Sequence, residues 1–388
     1  VKKPAKKLSR LATRYETWLR EASAPLWWKN DRLDNGAFYE ALDFEGRPVT
    51  ASRARVRVQA RQIYSFALAW KLGFRKKSLP ARLERSIERF LATCLGPEGL
   101  PGCEVDIEQG VLTDPKPDLY NTAFALMALA QSRKVLKGRF KDGHLSQLLD
   151  ALDRHMAHEQ GNGYREFLPA HSIRLQNPHM HLFESFLLLY KITGNPGLRN
   201  RAESLLNFMR DTFFDDAAGV VKEKVNPALE MNSGQYEPGH SMEWVWLLGW
   251  RSRLFDVPLD PFAVKLYTQT VGAGIPEGQT PMVLTVDHQA VDPSCRLWSQ
   301  TESLRAHLAM AELGPSELSA PALERAVICA RAIFDDWLKP AVPGGWLDHF
   351  DANGELIAAD MPASMCYHVW GLVLEMRRSS RKLRKKFD

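Results

Sequence analysis

The sequence predicts an all-α protein, an (α/α)6 barrel in which six helical hairpins close into a toroid with short β-hairpins at one mouth. Two observations carry this reading. A glycine followed by a short aromatic or β-branched stretch recurs at Gly36, Gly99, Gly163, Gly219, Gly278 and Gly345, about every sixty residues, and a long amphipathic segment follows each. The apolar spacing inside those segments is helical, and such an interval holds a hairpin-sized stretch plus two helices of ordinary length.

Each unit opens with its punctuation and passes into a helix that is apolar on more than one face. These inner candidates fall near 51–73, 117–133, 178–193, 239–255, 296–313 and 362–377. A second helix follows each of the first five, near 79–95, 143–159, 198–213, 260–273 and 321–338, with a more charged outer face, as in RLERSIERFLATCL. The sixth inner helix has no such partner after it, and LSRLATRYETWLREA at 8–22 is expected to supply one, joining the first repeat to the last. An open α-solenoid of helix pairs fits the same period, but a solenoid carries polar caps and these two ends look complementary.

A chain of 388 residues could hold two domains, yet no Pro/Gly/Ser linker divides it and the repeat runs straight through, so residues 1–388 are read as a single domain. The formal charge of +5 is concentrated at the ends. Residues 1–7 hold four lysines and 377–388 hold seven Lys/Arg and one Asp, which leaves 40 basic against 45 acidic side chains between them. A mildly acidic body excludes a nucleic-acid groove, and the basic ends, 1–7 and 378–388, are expected to fray into solvent. Five scattered cysteines, with no CxxC pair, point to a reducing compartment rather than a disulfide framework. No apolar run approaches the ~18 residues of a membrane span, and the chain reads as cytoplasmic, a monomer or a homodimer.

Polar residues intrude into the apolar helices at matching places. Arg61 lies inside VRVQARQIYSFALAW; Tyr120 and Asn121 open DLYNTAFALMALA; Asn177, His179, His181 and Glu184 open NPHMHLFESFLLLY. His240 and Glu243 follow in PGHSMEWVWLLGW, Trp298 and Glu302 in RLWSQTESLRAHLAM, Tyr367 and His368 in MPASMCYHVWGL. Nearly all sit in the first two turns of an inner helix. Parallel inner helices would bring them to one mouth, where free N–H groups and positive dipole ends favour developing negative charge. A lone histidine on an apolar helix is ordinarily a packed structural residue, but His181, His240 and His368 come from three repeats at one level and so define a site. His179 projects about 200° from His181 and is expected to serve packing. His240 and Glu243 share a face at i,i+3, so the carboxylate can orient the imidazole. As metal ligands the pair lacks an HExxH or a carboxylate cluster, and no metal is expected. Trp298, at a helix start, offers an apolar ring for stacking a sugar.

Taken in order and at this spacing, VQARQIYSF, NPHMHLFE, PGHSMEW, RLWSQTE and CYHVWG resemble the N-acylglucosamine 2-epimerase superfamily over residues from about 15 to 377. GAFYEALDFEGRPV is most similar to the mannose-isomerase and epimerase-like branch. The resemblance implies an (α/α)6 barrel that acts on reducing sugars by histidine acid/base catalysis, without a redox cofactor. It further implies that Arg61 binds the O1/O2 side of the opened sugar, that Asn177 and His181 hold hydroxyls with Tyr120 beside them, that His240 with Glu243 is one acid/base group and His368 the other, and that Trp298 with Glu302 lines the sugar site. One departure is Ser364, four residues before the last histidine, where sulfoquinovose isomerase has glutamine. No arginine for a sulfonate is evident, and the lack of an arginine cluster also weighs against a sugar phosphate.

The expected partner is a monosaccharide, and the expected reaction is proton removal from C2 of an open-chain aldose by His368, giving an enediolate. Aldose–ketose isomerisation of a mannose-type sugar is the first reading, and 2-epimerisation of an N-acylglucosamine the alternative. A glycoside hydrolase on the same barrel would need two carboxyl groups, Glu243 with Glu302 or Asp118. A helical-repeat scaffold for protein partners would tolerate replacement of all three histidines. Neither accounts for as many polar intrusions into apolar helices.

Overall fold

The computed structural model describes residues 2–30, 32–140, 143–158, 163–170, 173–226 and 234–387. Its helices fall into two classes that burial separates. In α3 (Val56–Lys71), α5 (Leu119–Leu136), α7 (Gln176–Thr193), α9 (Pro238–Phe255) and α11 (Leu297–Leu313) nearly every residue is buried, as in α5, where 15 of 18 are. The N-terminal half of α13 (Met365–Phe387) shares this character. The alternating helices α4 (Leu79–Thr93), α6 (Gly143–Met156), α8 (Pro196–Thr212), α10 (Pro261–Gly272) and α12 (Ser316–Ala332) bury one stripe, in α4 Leu79, Leu83, Ser86, Ile87 and Phe90. That spacing is the signature of a helix with one face on a core and one in water.

Contacts among the first class run α3–α5–α7–α9–α11–α13 and return from α13 to α3. Each helix of the second class packs on the helix before it. The helix α1 (Lys2–Trp18) packs on α13 and α12, and a π-helical turn, Leu19–Ser23, joins it to α2 (Ala24–Asn30). The segment read as 8–22 therefore occupies the place expected of it, but its helix starts at Lys2. The chain of α1 runs antiparallel to α13: Trp370 Nε1 donates to Ser23 Oγ at 3.0 Å, and Arg377 meets Glu16 at 3.4 Å.

Short strands knit the units together rather than standing as separate hairpins. The segment leading into each buried helix pairs antiparallel with the segment that leaves the unit's outer helix. Arg53–Arg55 pairs with Glu104–Asp106, Arg174–Leu175 with Lys224–Val225, Gln235–Tyr236 with Pro281–Thr285, and Ala290–Arg296 with His349–Phe350. Asp118 bridges Phe167 in the same way. The sixth pairing joins Met361–Pro362, before α13, to Ala41–Leu42, after α1 and α2. All six lead-in segments are thus anchored alike, and the helices they enter start at one end of the molecule.

Local signals set the helix ends. Asp118, Asn195 and Asp260 cap α5, α8 and α10 by accepting a backbone N–H, and Pro196 and Pro261 stand at the first helical position. α12 begins five residues before Pro321, where the sequence had suggested its start, and the chain continues as a π-turn over Ile333–Trp337. The end of the candidate 143–159 lies outside the described residues.

The basic ends are helical, contrary to the expectation of fraying. Ala5 is fully buried, and α13 continues to Phe387 because Ser379, Ser380 and Leu383 keep a buried stripe beneath the charges. Lys386 Nζ donates to the carbonyls of Ala311 and Glu312 at the end of α11, where a cation suits the helix dipole. Val1 and Asp388 lie outside the described residues. The main apolar core is one cluster from Ala5 to Leu383. All five cysteines are free, and among the described residues no helix is long and apolar enough to cross a membrane.

Candidate active site

The first turns of the buried helices line a pocket of about 640 Å3. α3 supplies Arg61, α5 Tyr120, α7 Asn177 and His181, α9 His240 and Glu243, α11 Trp298, and α13 His368. Glu302, expected in the wall, lies behind it, fully buried against His368.

His368 Nδ1 is 2.8 Å from Glu302 Oε1. Glu302 Oε2 accepts from Arg305 Nη1 at 3.1 Å, and Arg305 Nη2 donates to the His368 carbonyl at 3.1 Å, so the imidazole and its carboxylate are both held. Burial lowers the His368 pKa to about 3 against the opposing pull of Glu302. The ring is therefore neutral. With Nδ1–H donated to Glu302, its other nitrogen keeps a lone pair for the pocket.

His240 has the opposite setting. Its Nδ1 lies 2.9 Å from Glu223 Oε2 and 3.2 Å from Glu237 Oε2. Burial pulls its pKa down, but those two carboxylates outweigh it and push it up to about 10. The expected His240–Glu243 pair does not form. Glu237 immediately precedes α9, and Glu223 arrives beside Lys224–Val225, so both reach the imidazole from the rim. Glu243 instead turns to the layer below, 4.0 Å from His181 and close to Glu302 and His368. Burial, with Glu302 and Glu184 nearby, pushes the Glu243 carboxyl well above the usual carboxylate range.

His181 Nδ1 is 3.2 Å from Glu184 Oε2, which also accepts from Tyr367 Oη at 2.5 Å. Burial first, then the Arg61 charge, lowers His181 well below its ordinary pKa. Arg61 Nη2 donates to Tyr120 Oη at 2.5 Å, and its guanidinium lies 4.1 Å from the Phe124 ring centre and 5.0 Å from that of Tyr367. Arg61 Nε and Asn177 Oδ1 are buried without a hydrogen-bond partner among the described residues, so each is free for a ligand. His179 faces away, bonded to Leu175 O and Tyr164 N, which is its packing role.

Trp298 packs beside two of the site histidines, its ring 4.9 Å from that of His240 and 6.2 Å from that of His368. Gly239 makes this possible: a Cβ there would lie 2.7 Å from the Trp298 ring. Three groups could offer metal ligands within the site: His181 with Glu184 and Glu243, Glu223 with Glu237 and His240, and Glu243 with Glu302 and His368. In each the histidine is hydrogen-bonded to, or in contact with, a carboxylate of the group, and Arg305 and Tyr367 occupy oxygens of Glu302 and Glu184. The oxygens of Glu243 and Glu302 come within 4.8 Å of one another, closer than the ~5–5.5 Å of a retaining glycosidase pair, and both are buried.

Sequence reasoning missed Glu223, Glu237, Arg305 and Arg57. Glu237 lies three residues before His240, and Arg305 three after Glu302, so helical spacing carried a signal for both. Glu223 reaches the site only through strand pairing. The arginine cluster judged absent is present: Arg55, Arg57, Arg61 and Arg296 all line the pocket, three of them in the run RARVRVQAR.

A mouth of helix N-termini holding two histidines in opposite charge states defines a site for acid/base chemistry on a small polar substrate. Comparison with known proteins gives the family: the profile of N-acylglucosamine 2-epimerase matches residues 36–371, and the chain belongs to that family of sugar epimerases and isomerases. It is 32% identical over 371 residues, 92% of this chain and 95% of the other, to a protein of Rhizobium meliloti (strain 1021) named mannose-6-phosphate isomerase. The structure of cellobiose 2-epimerase from Spirochaeta thermophila DSM 6192 superposes with a TM-score of 0.83 at 21% identity, covering 96% of this chain and 97% of that one. A crystal structure of D-mannose isomerase gives 0.81 at 17%, covering 95% and 97%. The chain is accordingly an isomerase.

Proposed function

We propose that this enzyme is an aldose–ketose isomerase for a mannose-type sugar, working at C2 of the open chain through an enediolate. The observation that carries the reading is the pairing of His368, its pKa lowered, with His240, its pKa raised, in one pocket beside Trp298, since groups whose surroundings push their pKa values apart divide into base and acid. The closed run of helix contacts and the shared fold support an (α/α)6 barrel as the scaffold.

In this mechanism the His240 imidazolium protonates the ring oxygen as the bond from C1 to that oxygen breaks, and the imidazole so formed takes the proton of the anomeric hydroxyl as the C1 carbonyl forms, which restores the imidazolium. The free nitrogen of His368 takes the C2 proton, and the electron pair moves into the C1–C2 bond as charge collects on O1. Arg61 and the helix N-termini stabilise that oxygen, while Asn177 and His181 hold hydroxyls. His368 then returns its proton to C1 while the proton of the O2 hydroxyl passes to O1, so that C2=O forms as the C1–C2 double bond is lost, and the product is the ketose. A positioned base supplies roughly 10²–10⁴-fold and an oxyanion donor roughly 10²–10³-fold. Glu302 acts through His368 and Glu223 and Glu237 act through His240, and all three are positioning residues. The name of the 32% identical relative makes mannose 6-phosphate a sugar to test beside mannose. The free cysteines support a cytoplasmic setting.

One observation favours a second reading. Two imidazoles, His240 and His368, border the same pocket beside Trp298, so a proton delivered by the second to the far face of C2 would give the 2-epimer, as for an N-acylglucosamine. The test is proton NMR of D-mannose, D-mannose 6-phosphate and N-acetyl-D-mannosamine with the protein in D2O. Loss of the C2–H signal with a ketose appearing is the expected result, whereas the 2-epimer as product would establish the second reading. His368→Ala should lower turnover by roughly 10²–10⁴-fold, and near-normal turnover would overturn the assignment.

A further inference from the structure

We infer that Arg57 is an anion-recognition residue that selects an aldose bearing a phosphate at the end remote from C2. The inference rests on the sugar-isomerase reading of the same pocket. Five cationic side chains line that pocket: Arg55, Arg57, Arg61, Lys224 and Arg296. Most are engaged. Arg55 is paired with Glu40, Arg296 with Asp348 at 2.5 Å, and Arg61 with the Tyr120 hydroxyl. Arg57 has no hydrogen bond or ion pair among the described residues, and its recorded contact is the Tyr120 ring, 5.6 Å away. The acid that acts on it, Asp118, accepts a hydrogen bond at Oδ1 from the backbone N–H of Asn121 and forms no ion pair with Arg57 among the described residues.

A half-buried guanidinium between two like charges is a costly arrangement for a protein to hold empty. Burial, with Arg55 next and Arg61 also contributing, lowers its affinity for its own proton, as expected of a cation short of a counter-charge. Its position suggests the counter-charge. Arg57 precedes Arg61 by four residues on α3, just over one helical turn or about 6 Å nearer the mouth. With Arg61 at O1/O2, that displacement is comparable with the length of an open-chain hexose from C2 to its far end. The guanidinium fork matches phosphate oxygens, and the N-terminal turn of α3 adds favourable potential. Lys224, also without an ion pair among the described residues, gives the wall a second unmatched positive charge, as a phosphomonoester dianion requires.

The test compares kcat/KM for D-mannose 6-phosphate and D-mannose in wild type, Arg57→Lys and Arg57→Met, with binding of D-mannose 6-phosphate followed by calorimetry. Wild type should prefer the phosphorylated sugar, and Arg57→Met should cut that preference roughly 10- to 100-fold through KM, with Arg57→Lys between them. A wild-type enzyme indifferent to the phosphate, or an Arg57→Met variant weakened equally toward both sugars, would overturn the inference. Absence of turnover with both sugars would count against the isomerase reading. In that case, tight binding of D-mannose 6-phosphate by wild type and its loss in Arg57→Met would still sustain the role of Arg57, and equal binding by both would refute it.

Discussion

At the scale of single residues, the proposed mechanism depends on two imidazoles having different neighbours. His368 is buried beside one carboxylate that Arg305 already shares; His240 is buried beside two that, among the described residues, are paired with no arginine. Replacing Glu223 and Glu237 together by glutamine leaves burial to dominate, so the His240 pKa falls and the alkaline limb of the pH–kcat/KM profile moves below its wild-type place near pH 10. An unmoved limb would remove His240 as the acid. Gly239→Ala pushes the Trp298 ring from its seat and should lower kcat/KM by about 100-fold while thermal stability stays close to wild type, because small displacements of positioning groups are costly. A proportionate loss of stability would instead mark Trp298 as a packing residue. Arg61, Asn177, His181, His240 and His368 were legible because each breaks the apolar pattern of its own helix. The partners of His240 were less so: Glu223 lies in a hairpin where acids are ordinary, and nothing in its neighbourhood announces the helix it will meet.

At the scale of elements, the second half of α13 is held by charge as much as by apolar contact. Arg378 bridges Glu312 and Glu375, and Arg253 approaches both. Burial pushes Glu375 up, but Arg253 and Arg378 overcome this and hold its carboxyl well below the usual range. Breaking such a partly buried group costs about 3–5 kcal/mol, so Glu375→Gln should lower the urea midpoint clearly at pH 7. The sign follows from the depressed pKa: the carboxylate's contribution is present above its unfolded value and is lost as pH falls toward the folded one. The gap between wild type and variant should therefore narrow at pH 3. A constant gap would point to packing alone. The same helix shows where sequence reading fell short. Charge density in RRSSRKLRKK suggested fraying, whereas Ser379, Ser380 and Leu383, small and widely spaced, mark the buried face. Repeated punctuation made the hairpins visible, but their pairing partners depend on distant segments and could not be read locally.

At the scale of the whole molecule, the sixth unit is assembled from both ends of the described chain. α1 serves α13 as α12 serves α11, and the strand after α2 pairs with the strand before α13 as it would within a continuous unit. Because α1 and α13 run antiparallel, the start of α1 lies beside the end of α13. A circular permutant that joins Phe387 to Lys2 by a short glycine-serine linker and opens the chain at Gly194–Asn195 should fold and retain activity, as circular dichroism and the NMR assay would show. An insoluble permutant would mean that the connection between α7 and α8 is needed for folding. Complementarity of the two ends was readable from the sequence because the sixth inner helix lacked a partner and an amphipathic segment stood spare at 8–22.

The seam between α1 and α13 also sets a timetable. During synthesis α1 leaves the ribosome several hundred residues before the helix it covers, and at about 5–20 residues per second the wait is on the order of tens of seconds. Through that interval Ala5, Leu8, Ala12 and Tyr15, all buried in the finished protein, have no surface to rest on. This stripe is thus one that a nascent-chain binder such as a chaperone would see for that whole interval, and its release is tied to the arrival of α13.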